Sequence, residues 1–254
     1  MSEKPTRVQL KRQRRRRFLR FLLFLALLIS SLVFMLKSEI FNIDNYSVLG
    51  NKNLSKEIII NTSEINQGEN IFKIKKSIAE ENILALAYVK NVQIKRKLPR
   101  TIVFNIEERV GVLQTRSGST MFLVDIEGYV LEELEEADSG LPNIIGFDLS
   151  SISIGDNIFS GNDHSDIINF IIESKESKLL GNSSKIDMTL LEDINIELNN
   201  GISVAFGTLD NVKYKLRLLN EILKDIELKQ IQCKMIIMNK GDNPILVIDD
   251  KSEG

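Results

Sequence analysis

The sequence has few of the residue types that most specialised sites require. Its 254 residues include one cysteine, one histidine and no tryptophan. A single cysteine excludes an intramolecular disulfide, so the fold must be stabilised by apolar burial. One histidine and one cysteine are too few for a structural zinc or haem site, and we predict no bound metal and no cofactor. With only 4 prolines and 14 glycines, the chain is not collagen-like or low in complexity, and its length indicates one or two globular domains.

Charge is distributed unevenly along the chain. The first twenty residues hold nine basic side chains and one acidic side chain, Glu3, which gives this segment a formal charge of +8. Because the whole chain carries -2, the remaining residues carry -10. The two parts are therefore expected to face different surroundings. The nine basic residues are Lys4, Arg7, Lys11, Arg12, Arg14, Arg15, Arg16, Arg17 and Arg20.

A long apolar run follows this basic segment. Residues 18–36 read FLRFLLFLALLISSLVFML and contain one charge, Arg20, near the start of the run. Such a run reaches about 28 Å as a helix, which is roughly one hydrocarbon core. A cleaved signal peptide is the alternative, but no A-x-A-like cleavage signal follows Leu36. We therefore predict a basic tail at 1–17 and an uncleaved transmembrane helix at 18–36.

The same basic residues predict the orientation of the span. Eight of them precede it and the ninth, Arg20, lies near its start, whereas Lys37 and then Lys52 are the first basic residues after it. The positive-inside rule then predicts a cytoplasmic N-terminus, with residues from about 38 onward outside the cytoplasm. A soluble nucleic-acid-binding arm would also be rich in arginine, but the apolar run directly after the arginines favours membrane orientation.

The pattern after the span predicts a first outer domain at 40–110 with the order β-α-α-β-β. Ile74, Ile78, Ala79 and Ile83 recur at helical steps, which predicts an apolar stripe packed on a sheet. The turn signal Gly50-Asn51 closes the first strand. The predicted elements are a strand at 41–49, a helix at 54–63, a helix from 74 to about 87, and strands at 89–97 and 101–107.

The second outer domain, at 111–250, is predicted to be rich in strands. Asn162 or Asp163 would cap one helix, and residues 210–228 form a clearer helix with its apolar residues in one stripe. Asn199-Asn200-Gly201 is typical of a hairpin turn. A polar tail at 251–254 would follow. The predicted strands are 112–116, 120–125, 129–134, 185–190, 194–198, 202–206, 234–238 and 245–249.

This order resembles a known family. The matching residues are Val48 and Gly50, Gly68–Phe72, Lys95–Ile102 and Glu107-Glu108-Arg109, placed in that order behind a basic head and an anchor. The β-α-α-β-β segment is similar to the POTRA module, and the whole arrangement resembles the FtsQ/DivIB cell-division proteins. The resemblance implies an α+β protein with a transmembrane helix, a POTRA domain and a β-rich domain whose mixed or antiparallel sheet is packed by helices.

Signatures of catalysis are missing from the sequence. It contains no Gly-x-Ser-x-Gly elbow, no Gly-Lys-Ser/Thr phosphate loop and no Gly-x-Gly-x-x-Gly. His164 lies in a polar stretch and is expected at the surface, while Cys233 adjoins a predicted strand and is expected to be a small buried apolar group. We predict that the protein is not an enzyme and has no catalytic residues and no small-molecule substrate.

Protein binding is the function that remains for an anchored exterior of this kind. Pro244 opens the last predicted strand, a position that suits a sheet edge. An exposed edge can pair with a strand from another protein. The predicted partner-binding residues are Ile245, Leu246, Val247 and Ile248.

The resemblance also implies a process and partners. Members of the family act as divisome scaffolds at the inner (plasma) membrane of bacteria, where they link early and late division proteins at the septum. The implied partners are similar to the FtsB/FtsL pair, with no nucleic acid involved. The alternative is a POTRA-bearing factor for outer-membrane or surface protein assembly.

Overall fold

A computed structural model describes residues 7–159, 164–240 and 243–248 and divides the chain into two compact units. Unit 1 comprises the residues up to Leu84 together with Asn91–Glu107. Unit 2 comprises Ala85–Lys90 and the residues from Glu108 onward, so Ala85–Lys90 belongs to unit 2 although it falls inside the predicted first outer domain. The predicted cap at Asn162 or Asp163 and the predicted tail at 251–254 lie outside the described residues.

The first element is a long helix, α1 (Arg7–Lys37), which begins inside the basic segment. Its part Arg14–Lys37 is long and apolar enough to cross a membrane, judged by length and composition. None of the most apolar window is buried against the rest of the protein. A helix that is apolar on all sides and unburied needs an apolar solvent, which a bilayer supplies.

The elements that follow have the predicted β-α-α-β-β order. The first sheet has the strand order β1-β3-β2, and β1 runs parallel to β3 with Val48 opposite Phe104. The first strand begins later than predicted, because Glu39–Phe41 forms a 3-10 turn whose Ile40 amide donates to the Ser38 hydroxyl. The elements are β1 (Asn45–Leu49), α2 (Lys56–Thr62), α3 (Lys76–Leu84), β2 (Val89–Lys97) and β3 (Thr101–Glu108).

The apolar stripe predicted for the second helix is correct only in part, because the helix ends at Leu84, so that Leu86 and Ala87 lie beyond it. Ile74, Ala79 and Ile83 are buried, but Ile78 is 45% exposed. The helix begins only at Lys76, and its buried face is centred on Ala79 and Ile83. Ile78 precedes Ala79 by one residue and is therefore turned about 100° away from that face.

Gly50 is required by the fold more strictly than another glycine of the same unit. Both Gly50 and Gly68 have left-handed φ angles, +88° and +83°. A Cβ at Gly50 would overlap the Ile106 carbonyl oxygen, whereas a Cβ at Gly68 would meet nothing within 4 Å.

We therefore expect Gly50→Ala to destabilise unit 1 by more than Gly68→Ala. Gly68→Ala is the control, and its left-handed backbone alone should lower the free energy of unfolding by about 1–2 kcal/mol. At Gly50 the overlap with the Ile106 carbonyl oxygen adds to this cost. Native-state hydrogen exchange of the β3 amides measures the local stability. Equal costs for the two substitutions would contradict the close approach of Gly50 to Ile106.

Unit 2 is built on a nine-stranded sheet with the order β12-β11-β10-β9-β8-β7-β4-β5-β6. The pairs β4–β7, β7–β8 and β10–β11 are parallel and the others are antiparallel, so the sheet is mixed. The strands are β4 (Gly111–Ser117), β5 (Thr120–Asp125), β6 (Val130–Leu134), β7 (Asn143–Ile145), β8 (Ser183–Asp187), β9 (Ile194–Leu198), β10 (Ser203–Gly207), β11 (Cys233–Ile237) and β12 (Ile245–Ile248).

Two helices, α4 (Ser165–Glu176) and α5 (Val212–Lys229), contribute to the core of unit 2. Phe170 of α4 meets Phe206 of β10 edge-on, with ring centroids 5.3 Å apart. The predicted apolar stripe of α5 is confirmed, since Val212, Leu216, Leu219 and Ile226 are buried and Leu223 packs against them. Burial of this stripe supplies most of the free energy that keeps α5 folded on the sheet.

Candidate functional site: the β12 edge of the large sheet

The four predicted partner-binding residues form β12, the outermost strand of the nine-stranded sheet. Each of Ile245, Leu246, Val247 and Ile248 is 37–54% exposed. The strand pairs with β11, and in the part of the chain that the structure describes no strand pairs with its other side. Its outward amide and carbonyl groups can therefore bind an additional strand.

The register of the sheet divides the β12 side chains between two faces. Leu246 lies in one row with Ile236 and Val204, which are buried in the core beneath the helices. Ile245 and Val247 point to the opposite face, because successive strand residues alternate. We call that second face, which carries Ile245 and Val247, the open face.

The open face is polar over β8 and β9 and becomes apolar beside β12. Lys185 and Glu197 pair there at 3.3 Å, a contact typical of a solvated surface. On β11 the same face carries Met235 and Ile237, which lie opposite Val247 and Ile245. We call these apolar residues the open-face patch: Met235, Ile237, Ile245 and Val247.

The opposite edge of the sheet, β6, has a different character. Its first residue Val130 exchanges backbone hydrogen bonds with Gly155 and Asp156, so the start of the strand is covered. The remainder carries the exposed residues Glu132 and Glu133. Charged residues on an edge oppose the addition of another strand. Of the two edges, β12 is therefore the one suited to a partner.

His164 and Cys233, the single histidine and the single cysteine of the chain, lie at different elements of unit 2. His164 was expected at the surface but is half-buried directly before α4, with its ring 6.0 Å from the ring of Phe159. Cys233 was predicted to be buried but is only half-buried, because β11 lies next to the edge strand. Burial raises the pKa of its thiol. Among the described residues, no group of three His, Cys, Asp or Glu is placed to hold a metal ion.

A cluster of charged residues around Arg109 holds the beginning of unit 2 together. One guanidinium nitrogen of Arg109 donates to Asp125 and to Glu127, each at 2.7 Å. The Arg109 side chain is 10% exposed and the Asp125 side chain 3%. The guanidinium also lies 3.6 Å from the centre of the Tyr129 ring, and Lys90 pairs with Glu127 at 2.8 Å. Arg109 was predicted only as part of a family motif, and its partners depend on the fold of β5 and the turn after it.

The ionisation of Glu127 is coupled to this cluster. The hydrogen bond from Lys90 lowers the pKa of Glu127, partial burial opposes that shift, and Arg109 lowers the pKa further. A carboxylate whose pKa is lower in the folded state stabilises the fold above its unfolded pKa, 4.5 for Glu127. This stabilisation is lost as the pH falls through the folded value.

We expect the melting temperature of unit 2 to fall less steeply with acidification in Glu127→Gln than in the parent chain. As the pH falls below 4.5, the parent progressively loses the stabilisation that ionised Glu127 provides, which the variant never has. A matched control is Glu197→Gln, which also removes a carboxylate paired with a lysine but is 55% exposed. Thermal unfolding of the full-length protein in detergent between neutral and acidic pH tests this. Identical slopes for parent and Glu127→Gln would contradict the coupling.

Comparison with known proteins agrees with this architecture. The family model described as "POTRA domain, FtsQ-type" matches residues 41–109. The family model described as "Cell division protein FtsQ/DivIB, C-terminal" matches residues 111–249. Together the two models cover nearly all of the chain beyond α1.

Individual relatives match at moderate identity. The chain is 30% identical over 247 residues to the cell division protein DivIB of Clostridium botulinum, and the alignment covers 95% of each chain. It is 35% identical over 186 residues to DivIB of Clostridium acetobutylicum, covering 71% of this chain and 73% of the relative. A solved structure of the major extracytoplasmic domain of DivIB from Geobacillus stearothermophilus aligns with 48% of this chain and 97% of its own, at 18% identity and a TM-score of 0.33.

An apolar N-terminal helix, a β-α-α-β-β domain and a β-rich domain define a membrane-anchored α+β protein. The chain belongs to the FtsQ/DivIB family of cell division proteins. The predicted fold class is confirmed by the family match and by the element order.

Proposed function

We propose that this protein is a scaffold of the divisome that links early and late division proteins at the septum. Its extracytoplasmic part, residues 40–110 and 111–250, makes these contacts, while α1 concentrates it at the membrane. The observation that carries the proposal is the apolar, exposed and unpaired edge β12 in a chain of the FtsQ/DivIB family. The family match favours this function over surface protein assembly.

The proposed orientation places the N-terminus in the cytoplasm and both units outside it. The support is the distribution of basic residues, with eight before the span, Arg20 near its start and Lys37 directly after it. The transmembrane potential and anionic lipids of the cytoplasmic leaflet favour that arrangement. The protein is then a single-pass protein of the bacterial plasma membrane.

The proposed partner presents an extended segment that adds to β12. Main-chain hydrogen bonds along the edge would provide affinity, and side-chain contacts would provide specificity. The open-face patch favours apolar side chains at alternate positions of the added strand. Leu246 lies on the other face of the sheet, which α4 and α5 cover. It would contact the side chains of the added strand that point to that face. Partners similar to the FtsB/FtsL pair, which the family resemblance implies, are the candidates for this role.

A fluorescent fusion to the N-terminus tests the proposed function in dividing cells. In cells that carry the fusion while the native copy is depleted, we expect a fluorescent band at mid-cell. In depleted cells without the fusion, we expect filaments that fail to divide. A fluorescent protein on the cytoplasmic side leaves β12 available. A uniform peripheral signal together with normal division on depletion would overturn the proposal.

A further inference from the structure

A buried asparagine joins unit 1 to the end of the apolar helix. Asn70 is 7% exposed, and its side-chain amide donates to the Met35 carbonyl at 3.0 Å. Its side-chain oxygen accepts the Phe72 amide, also at 3.0 Å. Met35 lies in the last turn of α1, where carbonyls have no partner within the helix. The Asn70 side chain thus satisfies one of these carbonyls, 35 positions earlier in the sequence.

Backbone hydrogen bonds fix the short connection between α1 and β1 to the same loop. The Ile43 amide donates to the Glu69 carbonyl, the Gly68 amide to the Ile43 carbonyl, and the Ile71 amide to the Phe41 carbonyl, all at 2.8 Å. The loop before α3 therefore lies beside the end of the candidate span at Lys37.

The connection between β2 and β3 lies at this same end of unit 1. The Asp44 amide donates to the Arg100 carbonyl at 2.9 Å, and the Arg100 side chain donates to the Asn42 carbonyl at 3.1 Å. Arg96 donates to the Ile71 carbonyl at 2.7 Å. We call residues 37–44, 69–73 and 96–100 the membrane-proximal surface.

The composition of the membrane-proximal surface suits a bilayer interface. Two large apolar side chains, Ile40 and Leu98, are each 56% exposed on it. Its basic residues outnumber its acidic ones by five to three, although the chain after residue 20 carries a net charge of -10. The basic residues are Lys37, Lys73, Arg96, Lys97 and Arg100, and the acidic residues are Glu39, Asp44 and Glu69.

We propose that the membrane-proximal surface binds the anionic phospholipid headgroups that surround α1. Ile40 and Leu98 insert among the headgroups, and Lys37, Lys73 and Lys97 contact phosphates, while Arg96 and Arg100 donate to backbone carbonyls of unit 1. Asn70 is a positioning residue, because it holds this surface at the depth of the last turn of α1. The occupant is a lipid surface because the candidate membrane span ends at Lys37, and headgroups around that span would adjoin these residues. The proposal does not depend on which side of the membrane unit 1 occupies.

Spin labels on the full-length protein in nanodiscs test the depth of this surface. Cys233→Ser removes the native thiol, and a spin label is then attached to a cysteine that replaces Leu98. A control label is attached to a cysteine that replaces Leu49, which is similarly exposed but lies at the end of β1 far from the membrane-proximal surface. Relaxation by oxygen reports contact with lipid, and relaxation by a soluble nickel chelate reports contact with water. In discs of equal parts phosphatidylcholine and phosphatidylglycerol, we expect protection from nickel at position 98 and none at 49. Equal nickel accessibility at both positions would overturn the proposal.

Two further comparisons test the role of charge. Replacing all phosphatidylglycerol by phosphatidylcholine should shift the label at 98 toward water. Lys97→Glu should cause the same shift in the mixed discs, whereas Lys56→Glu, in α2 beyond the far end of β1, should not. If position 98 keeps its protection under both changes, anionic headgroups are not the ligand.

The role of Asn70 has its own test. Asn70→Asp keeps the oxygen that accepts the Phe72 amide but removes the donor to Met35, and we expect the label at 98 to lose its protection. Unchanged protection in the folded variant would contradict the positioning role, and if this variant fails to fold, the Lys97→Glu comparison still decides the proposal. None of these measurements involves β12, so their failure is distinct from failure of the proposed function.

Discussion

The double substitution Ile245→Lys with Val247→Lys is expected to abolish partner binding while leaving the protein folded. Both side chains are on the open face, 49% and 40% exposed, so lysine at these positions costs little folding free energy. Two apolar contacts at the centre of an interface are worth about 2 kcal/mol each, so we expect an affinity loss of about a thousandfold. Binding of the full-length protein to a purified FtsB/FtsL-like partner measures this.

The control for this pair is Leu190→Lys with Leu191→Lys. These two exposed apolar residues lie in the connection between β8 and β9, so the change in charge is the same but the edge is untouched. The control should bind like the parent chain. Normal binding by the β12 variant, in a protein with parental thermal stability, would remove β12 from the interface.

Substitution of Arg109 by methionine is expected to have the second large effect, on stability. It leaves Asp125, which is only 3% exposed, without its charged partner. Breaking a buried ion pair from one side costs about 3–5 kcal/mol. For a unit of this size that corresponds to a fall in melting temperature of about 6–20 °C. The contact of the guanidinium with the Tyr129 ring is lost as well.

A second variant separates the ion pair from general packing. Asp125→Asn retains an oxygen that can accept the Glu127 and Tyr129 amides but removes the charge. In the Arg109→Met background it should restore part of the lost stability, because no uncompensated charge remains buried. If the double variant is less stable than Arg109→Met alone, by the sum of the two single losses, the account of this cluster is contradicted.

The sequence predicted those features that short-range patterns record. Alternation at Ile102, Phe104 and Ile106 predicted β3, and Asn199-Asn200-Gly201 predicted the β9–β10 hairpin. The stripe from Val212 to Ile226 predicted α5. In each of these elements the periodicity of the buried residues is itself the cause of the structure.

Features that depend on pairing between distant segments were not predicted. β7 has three residues, too few for a periodic signal, and it forms because parallel neighbours on both sides bind it. Met235 and Ile237 join the apolar patch only through their register with β12. The bond from Asn70 to Met35 joins residues far apart in the chain, and no local pattern indicates it.

Amide hydrogen exchange of the complex tests the central claim most directly. The full-length protein would be compared alone and with a purified FtsB/FtsL-like partner. If the partner adds a strand to the sheet, the outward-facing amides of Ile245–Ile248 exchange more slowly in the complex, while those of Glu132 and Glu133 on the β6 edge do not change. Slower exchange elsewhere in unit 2, with unchanged exchange at β12, would contradict strand addition at this edge.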